Sequence, residues 1–138
     1  MTLPSRDEAE RLVEFLPGFM EPNRSFVKNW KGDIDTTAGP HQMPYPVYAN
    51  DVIQFFNLIA SSEWAARDYL NDRTNELVAD PNSLVSSSVE EVCDVLTHCW
   101  RGERFCDGHH QGMLEAGVVQ AALRRLQQLA AALSEGEG

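Results

Sequence analysis

The chain has 138 residues, a formal charge of −10, 43% apolar residues and three Trp, three Tyr and six Phe. That length supports one core hiding about two-thirds of the unfolded surface, and the apolar and aromatic content excludes a disordered acidic polymer. An acidic surface repels phosphate backbones and anionic headgroups, so neither direct nucleic-acid binding nor a membrane-surface role is expected.

Ser5-Arg6-Asp7-Glu8 has the Ser-x-x-Glu spacing of a capping box and opens a short helix with Leu12, Val13, Phe15 and Leu16 on its apolar face. Pro17-Gly18 is expected to stop that helix, with Phe19 and Met20 packing back on the core. From Glu21 to Tyr48 prolines and glycines interrupt any helical period. Within it, Ser25 to Trp30 and Met43 to Tyr48 carry the aromatic and β-branched residues of a small two-stranded β-ribbon between about residues 25 and 48, whose prolines permit only edge positions. The segment has no glycine-rich nucleotide loop.

Asn50 or Asp51 can cap a helix whose Val52, Ile53, Phe55, Phe56, Ile59 and Ala60 repeat at the spacing of a buried stripe. Glu63 to Leu70 reads as another short helix with Trp64 inward and Tyr69 or Leu70 beside it, Asp72 to Ala79 as a further turn, and Asp80-Pro81-Asn82 as a loop. Ser88-Val89-Glu90-Glu91 is a second capping box, starting a helix with Val89, Val92, Cys93, Leu96, Cys99 and Trp100 on one face. Beyond a turn at Cys106-Asp107-Gly108, a helical segment from about His109 is bent or broken at Gly117 and resumes through Val118, Leu123, Leu126 and Leu133. Residues 134–138 read as a frayed tail. The expected architecture is mainly α: one irregular helical domain over residues 1–138, with no internal repeat and no dividing linker.

No apolar run approaches the roughly 20 residues a membrane helix needs, and MTLPSRDEAER lacks the apolar centre of a secretory signal. With three cysteines, an odd number that suits free thiols in a reducing compartment, these features predict a cytoplasmic protein. The negative charge concentrates between residues 61 and 100, where Glu63, Asp68, Asp72, Glu76, Asp80, Glu90, Glu91 and Asp94 face only Arg67 and Arg73. Solubility is the plain explanation. The sharper one is an acidic face for a basic protein partner, with Glu90, Glu91 and Asp94 as candidate contacts.

Reactive side chains are densest in Thr97 to His110, where two expected helices meet. Arg101 and Arg104 are three apart, share a helix face and could grip an anion, with His109 as a proton donor or acceptor. The plainer reading pairs them with Glu103, Asp107 or Glu115, and makes Asp107 a cap and His109 a hydrogen-bonded corner residue. Cys106 and His109 could chelate zinc, but two paired half-sites are missing and no metal or cofactor is expected. Cys106 as a nucleophile activated by His109 or His110 would also need an orienting third residue that the sequence does not identify.

Leu16-Pro17-Gly18-Phe19, Trp30, Met43-Pro44-Tyr45-Pro46-Val47-Tyr48, Arg101-x-x-Arg104-Phe105-Cys106-Asp107-Gly108-His109, Glu115-x-Gly117 and Leu123-Arg124-Arg125-Leu126 together resemble the bacterial family of unknown function DUF6508. The resemblance spans most of the chain and is loosest between Glu63 and Ser88. It implies a compact domain of bacteria or their mobile elements, brings no established reaction, and puts Arg101, Arg104 and His109 first among residues to test. It also disfavours a conventional zinc motif. The residues favour a noncatalytic protein-interaction or regulatory domain over the alternative, an anion-binding domain or enzyme built on Arg101, Arg104 and His109.

Overall fold

The computed structural model describes residues 3–31, 45–66, 69–104 and 108–133, leaving aside the side chains of Trp30, Lys31, Tyr45, Ala66 and Arg104. The capping box opens α1 (Arg6–Val13) as its spacing predicts: Glu8 N–H donates to Ser5 Oγ at 3.1 Å and Ser5 N–H to Glu8 Oε1 at 2.9 Å. The first helix ends before Pro17-Gly18, however, at Glu14-Phe15, and those two residues lie inside a second short helix, α2 (Leu16–Phe19). Proline is tolerated there because first-turn N–H groups have no intrahelical acceptor. Only one of the two residues expected to pack back does so: Phe19 is buried, and Met20, on the next helical position, turns outward.

The ribbon is present as β1 (Val27–Lys31) and β2 (Tyr45–Tyr48), antiparallel, with Val27 opposite Tyr48 and Trp30 opposite Pro46. An irregularity between Val27 and Asn29 shifts the register. In so small a sheet every strand is an edge, so Pro46 costs no central ladder bond.

Helix α3 (Asn50–Ala60) buries Val52, Phe55, Phe56 and Ile59, but Ile53 is 43% exposed and leaves the expected stripe. Its N-cap is Ala49, one residue before the expected cap, and makes no side-chain bond. Asp51 instead meets the Arg24 guanidinium at 2.7 and 3.0 Å in a two-point pair. Arg24 also donates to Gly18 O at 3.1 Å, joining the start of α3 to α2.

Of the helix expected from Glu63 to Leu70, Glu63–Ala66 forms a 3₁₀ turn, Tyr69 and Leu70 are not helical, and Arg67 and Asp68 lie outside the described residues; Trp64 and Tyr69 are buried while Leu70 is 71% exposed. Helix α4 (Asp72–Ala79) is capped by Asn71, and ends at Asp80, whose non-helical backbone precedes Pro81. The predicted loop at 80–82 is a 3₁₀ turn, Pro81–Ser86, with proline again at the start. The second capping box opens α5 (Val89–Arg101), the central helix, which packs against α3, α4 and the later α7. A 3₁₀ turn at Gly102–Arg104 follows, then α6 (His109–Glu115) and α7 (Val118–Leu129), separated at Gly117 with φ 80°.

The buried side chains of α1, α2, α3, α5 and α7 join one apolar cluster. Gln120 on α7 donates to Phe19 O at 3.1 Å and Leu114 O at 2.9 Å, and Arg125 to Ser87 O at 2.8 Å. These bonds fix α7 against α2, α6 and the turn before α5. The fold is mainly α with a small antiparallel sheet, and among the described residues no helix is long and apolar enough to cross a membrane.

Candidate functional site

The corner after α5 is organised by Glu103, which the sequence reading offered only as a counter-charge for the arginines. Its Oε1 accepts the Tyr48 hydroxyl at 2.9 Å and His110 N–H at 2.8 Å, while its Oε2 accepts Gly108 N–H at 3.1 Å. The reason is local. Helix α6 starts after Gly108, which has φ 92° and no side chain to satisfy the first N–H groups, so a carboxylate from the preceding turn performs the capping. Asp107, expected to cap, lies outside the described residues.

His110 lies in the same arrangement. Its ring stacks on Phe56 of α3 at 3.7 Å between centroids, only 5° from parallel, and its Nε2 lies 3.3 Å from Trp100 O. A carbonyl only accepts, so Nε2 carries the proton and Nδ1 presents a lone pair, 3.9 Å from Glu103 Oε1. Burial lowers the pKa of His110 from its ordinary value, with the Glu103 charge opposing. Beside this pair opens a cleft of about 350 Å³, whose apolar walls are Pro46, Ile53 and Phe56 and whose polar lining adds Tyr48 and Asn57.

His109 points to the other side of the corner. Its Nε2 donates to His98 O at 3.1 Å, and its ring lies 5.1 Å from that of His98. A Cβ on Gly102 would overlap the His109 ring, so the glycine is what lets α6 bring its first residue against the end of α5. Burial lowers the His98 pKa, and the neighbouring His109 adds to the effect. Arg101 lies over the rings of Trp100 and Tyr69, at 5.3 and 5.9 Å. The corner therefore brings Arg101 and His109 to the end of α5. Arg101 does not pair with Glu103, whose bonds come from neutral donors. The Arg104 side chain and Cys106 lie outside the described residues.

The candidate acidic contacts differ from one another. Glu91 is committed: one oxygen accepts Ser88 N–H at 2.9 Å and the other Arg73 Nε–H at 2.8 Å, and these bonds, the Ser88 bond foremost, hold its pKa below the ordinary carboxylate value. Glu90 is exposed, and Asp94 is half-buried one turn along. Cys93 and Cys99 are buried in the core, and burial pushes the Cys99 thiol far up. Among the described residues no three His, Cys, Asp or Glu side chains stand close enough together to hold a metal ion.

Sequence reasoning missed Tyr48, Glu103 and His110 as one unit. One sign was available: a helix starting after glycine, without Ser, Thr or Asn at that position, needs an acceptor from elsewhere, and Glu103 was, with Asp107, one of two carboxylates just upstream. No periodicity could supply Tyr48, which arrives from the ribbon.

No curated protein and no solved structure matches the chain. The model of a family of unknown function, DUF6508, matches residues 4–132. That span includes the two strands and seven helices of the described residues and the Glu103 corner, and the chain belongs to the DUF6508 family.

Proposed function

We propose that this chain is a noncatalytic protein-interaction or regulatory domain of a bacterium or mobile element, working in the cytoplasm and offering an acidic surface to a basic protein partner. The observation that carries the reading is the use made of the polar groups at the corner. His109 and His110 each spend a ring nitrogen on a backbone carbonyl of α5, and Glu103 receives three donors, so these groups hold helix ends together. Asp72, Glu76, Asp80 and Glu90 lie on the exposed surface, with Glu76 paired to Arg73 at 3.4 Å. Such a field accelerates encounter with a positively charged partner and discourages nucleic acid.

The test is a partner recovered from the host, reconstituted from purified components and titrated at several salt concentrations. Glu90→Lys should weaken that complex and reduce its salt dependence. A reconstituted complex with unchanged affinity would reject the acidic surface as the contact, and failure to reconstitute any complex would reject the interaction role.

A second reading, anion binding by Arg101, Arg104 and His109, draws on one observation: Arg101 Nε is buried without an acceptor among the described residues. An anion there would complete that donor. Titration with inorganic phosphate and with acetate, followed by the indole fluorescence of the protein, checks it; a response surviving Arg101→Gln would reject it.

A further inference from the structure

The cleft beside Glu103 carries an inference that rests on the interaction reading above and makes it specific. An ionised carboxylate offers about four acceptor positions. Among the described residues three of those on Glu103 are filled, all by uncharged donors, which leaves one on Oε2. Its side chain is 22% exposed, and no Lys or Arg pairs with it among the described residues. His110 adds the Nδ1 lone pair, because Nε2–H is spent on Trp100 O. Two acceptors thus border a cleft that has Pro46, Ile53 and Phe56 for walls.

An apolar sleeve ending in acceptors and a negative charge matches one side chain well. Lysine has a four-carbon apolar stem and a compact ammonium with three donors that can diverge. Arginine is a poorer match, because its planar fork seeks two parallel acceptors on one carboxylate and one of these oxygens already holds two donors. We infer that this cleft receives a lysine side chain of the protein partner, with the stem along Ile53 and Phe56 and the ammonium between Glu103 and His110. The chain's net charge of −10 favours the same occupant.

The experiment is an amide NMR titration of the full chain with N-acetyl-lysine methylamide, against the norleucine and arginine counterparts and n-butylammonium. Saturable shifts at Ile53, Phe56, Asn57 and His110 with the lysine probe, absent with norleucine, are the expected result. Ile53→Lys places a cation at the exposed rim without disturbing the core, and should weaken the lysine probe roughly tenfold or more. Equal responses to lysine and norleucine, stronger binding of arginine, or indifference to Ile53→Lys would each overturn the assignment. Butylammonium binding as tightly as the lysine probe would point to a free amine and overturn the partner-lysine form. In a reconstituted partner complex, sensitivity to Glu90→Lys with indifference to Ile53→Lys removes this cleft and leaves the interaction reading standing.

Discussion

Tyr48 donates its hydroxyl to Glu103 Oε1 at 2.9 Å, joining residues 55 apart in sequence. Through it the ribbon is tied to the carboxylate that caps α6, and the same hydroxyl oxygen lies 3.4 Å from Gln111 N–H. Removing the hydroxyl leaves a partly buried carboxylate short of one donor, at a cost of about 1–2 kcal/mol. Tyr48→Phe should therefore lower the urea midpoint, and Glu103→Gln should lower it further because its amide NH₂ would face N–H donors. The double variant should cost less than the sum of the two. Additive losses would show that the hydroxyl and the carboxylate act independently.

Gly102 and His109 give a steric prediction. A methyl group at position 102 would occupy the space of the His109 ring, which must then leave His98 O. Gly102 has an ordinary helical backbone, φ −61°, so alanine itself is unstrained there and by propensity would stabilise. The overlap opposes this gain and should dominate, for a net loss of about 1–3 kcal/mol. Gly102→Ala/His109→Ala tests the cause: if the ring is responsible, the alanine at 102 becomes harmless once the ring is gone. A Gly102→Ala protein as stable as the parent would contradict the account.

The two capping boxes, the buried faces of α3 and α5 and the break at Gly117 were legible because each is written in residues close along the chain. Ile53 and Met20 were misplaced for a common reason: periodicity says which residues share a face, and only tertiary packing decides how much of that face is covered. Candidate residues in the corner were partly legible. The sequence drew attention to residues 97–110, but ranked Arg101 and His109 above Glu103, because charge is visible in a sequence and a capping role across five to seven residues is not.

The start of α5 separates two neighbouring glutamates that look alike in sequence. Ser88→Ala removes the acceptor for Glu91 N–H and should cost about 1 kcal/mol. Glu91→Lys removes the reciprocal bond and the contact with Arg73, and places a cation at the positive end of the helix dipole, so its loss should exceed that of Ser88→Ala. Glu90→Lys shares the dipole effect, about 0.3–1 kcal/mol. Denaturant titration of the three variants checks the ranking, and it decides which charge reversal can report on partner binding without also weakening the fold.

Stability should fall on acidification in two stages. Burial lowers the pKa values of His98 and His110 below the roughly 6.5 of an unfolded histidine. Above that value both rings are neutral in either state and contribute no pH dependence. As the pH drops below it the unfolded chain binds protons that the folded chain refuses, so folding loses free energy until the folded values are passed. Asp51, held low chiefly by its hydrogen bond from Arg24, and Glu91, held low chiefly by Ser88, act in a lower window. Their contribution is complete above about pH 5 and is lost as the pH falls through their folded values. Urea midpoints measured from about pH 7.5 to 5.5 should decline, and His110→Gln should flatten that decline while leaving the lower stage in place. A midpoint constant across the upper range would mean that the two rings accept protons in the folded protein as readily as in the unfolded chain, against their burial beside Phe56 and Tyr69.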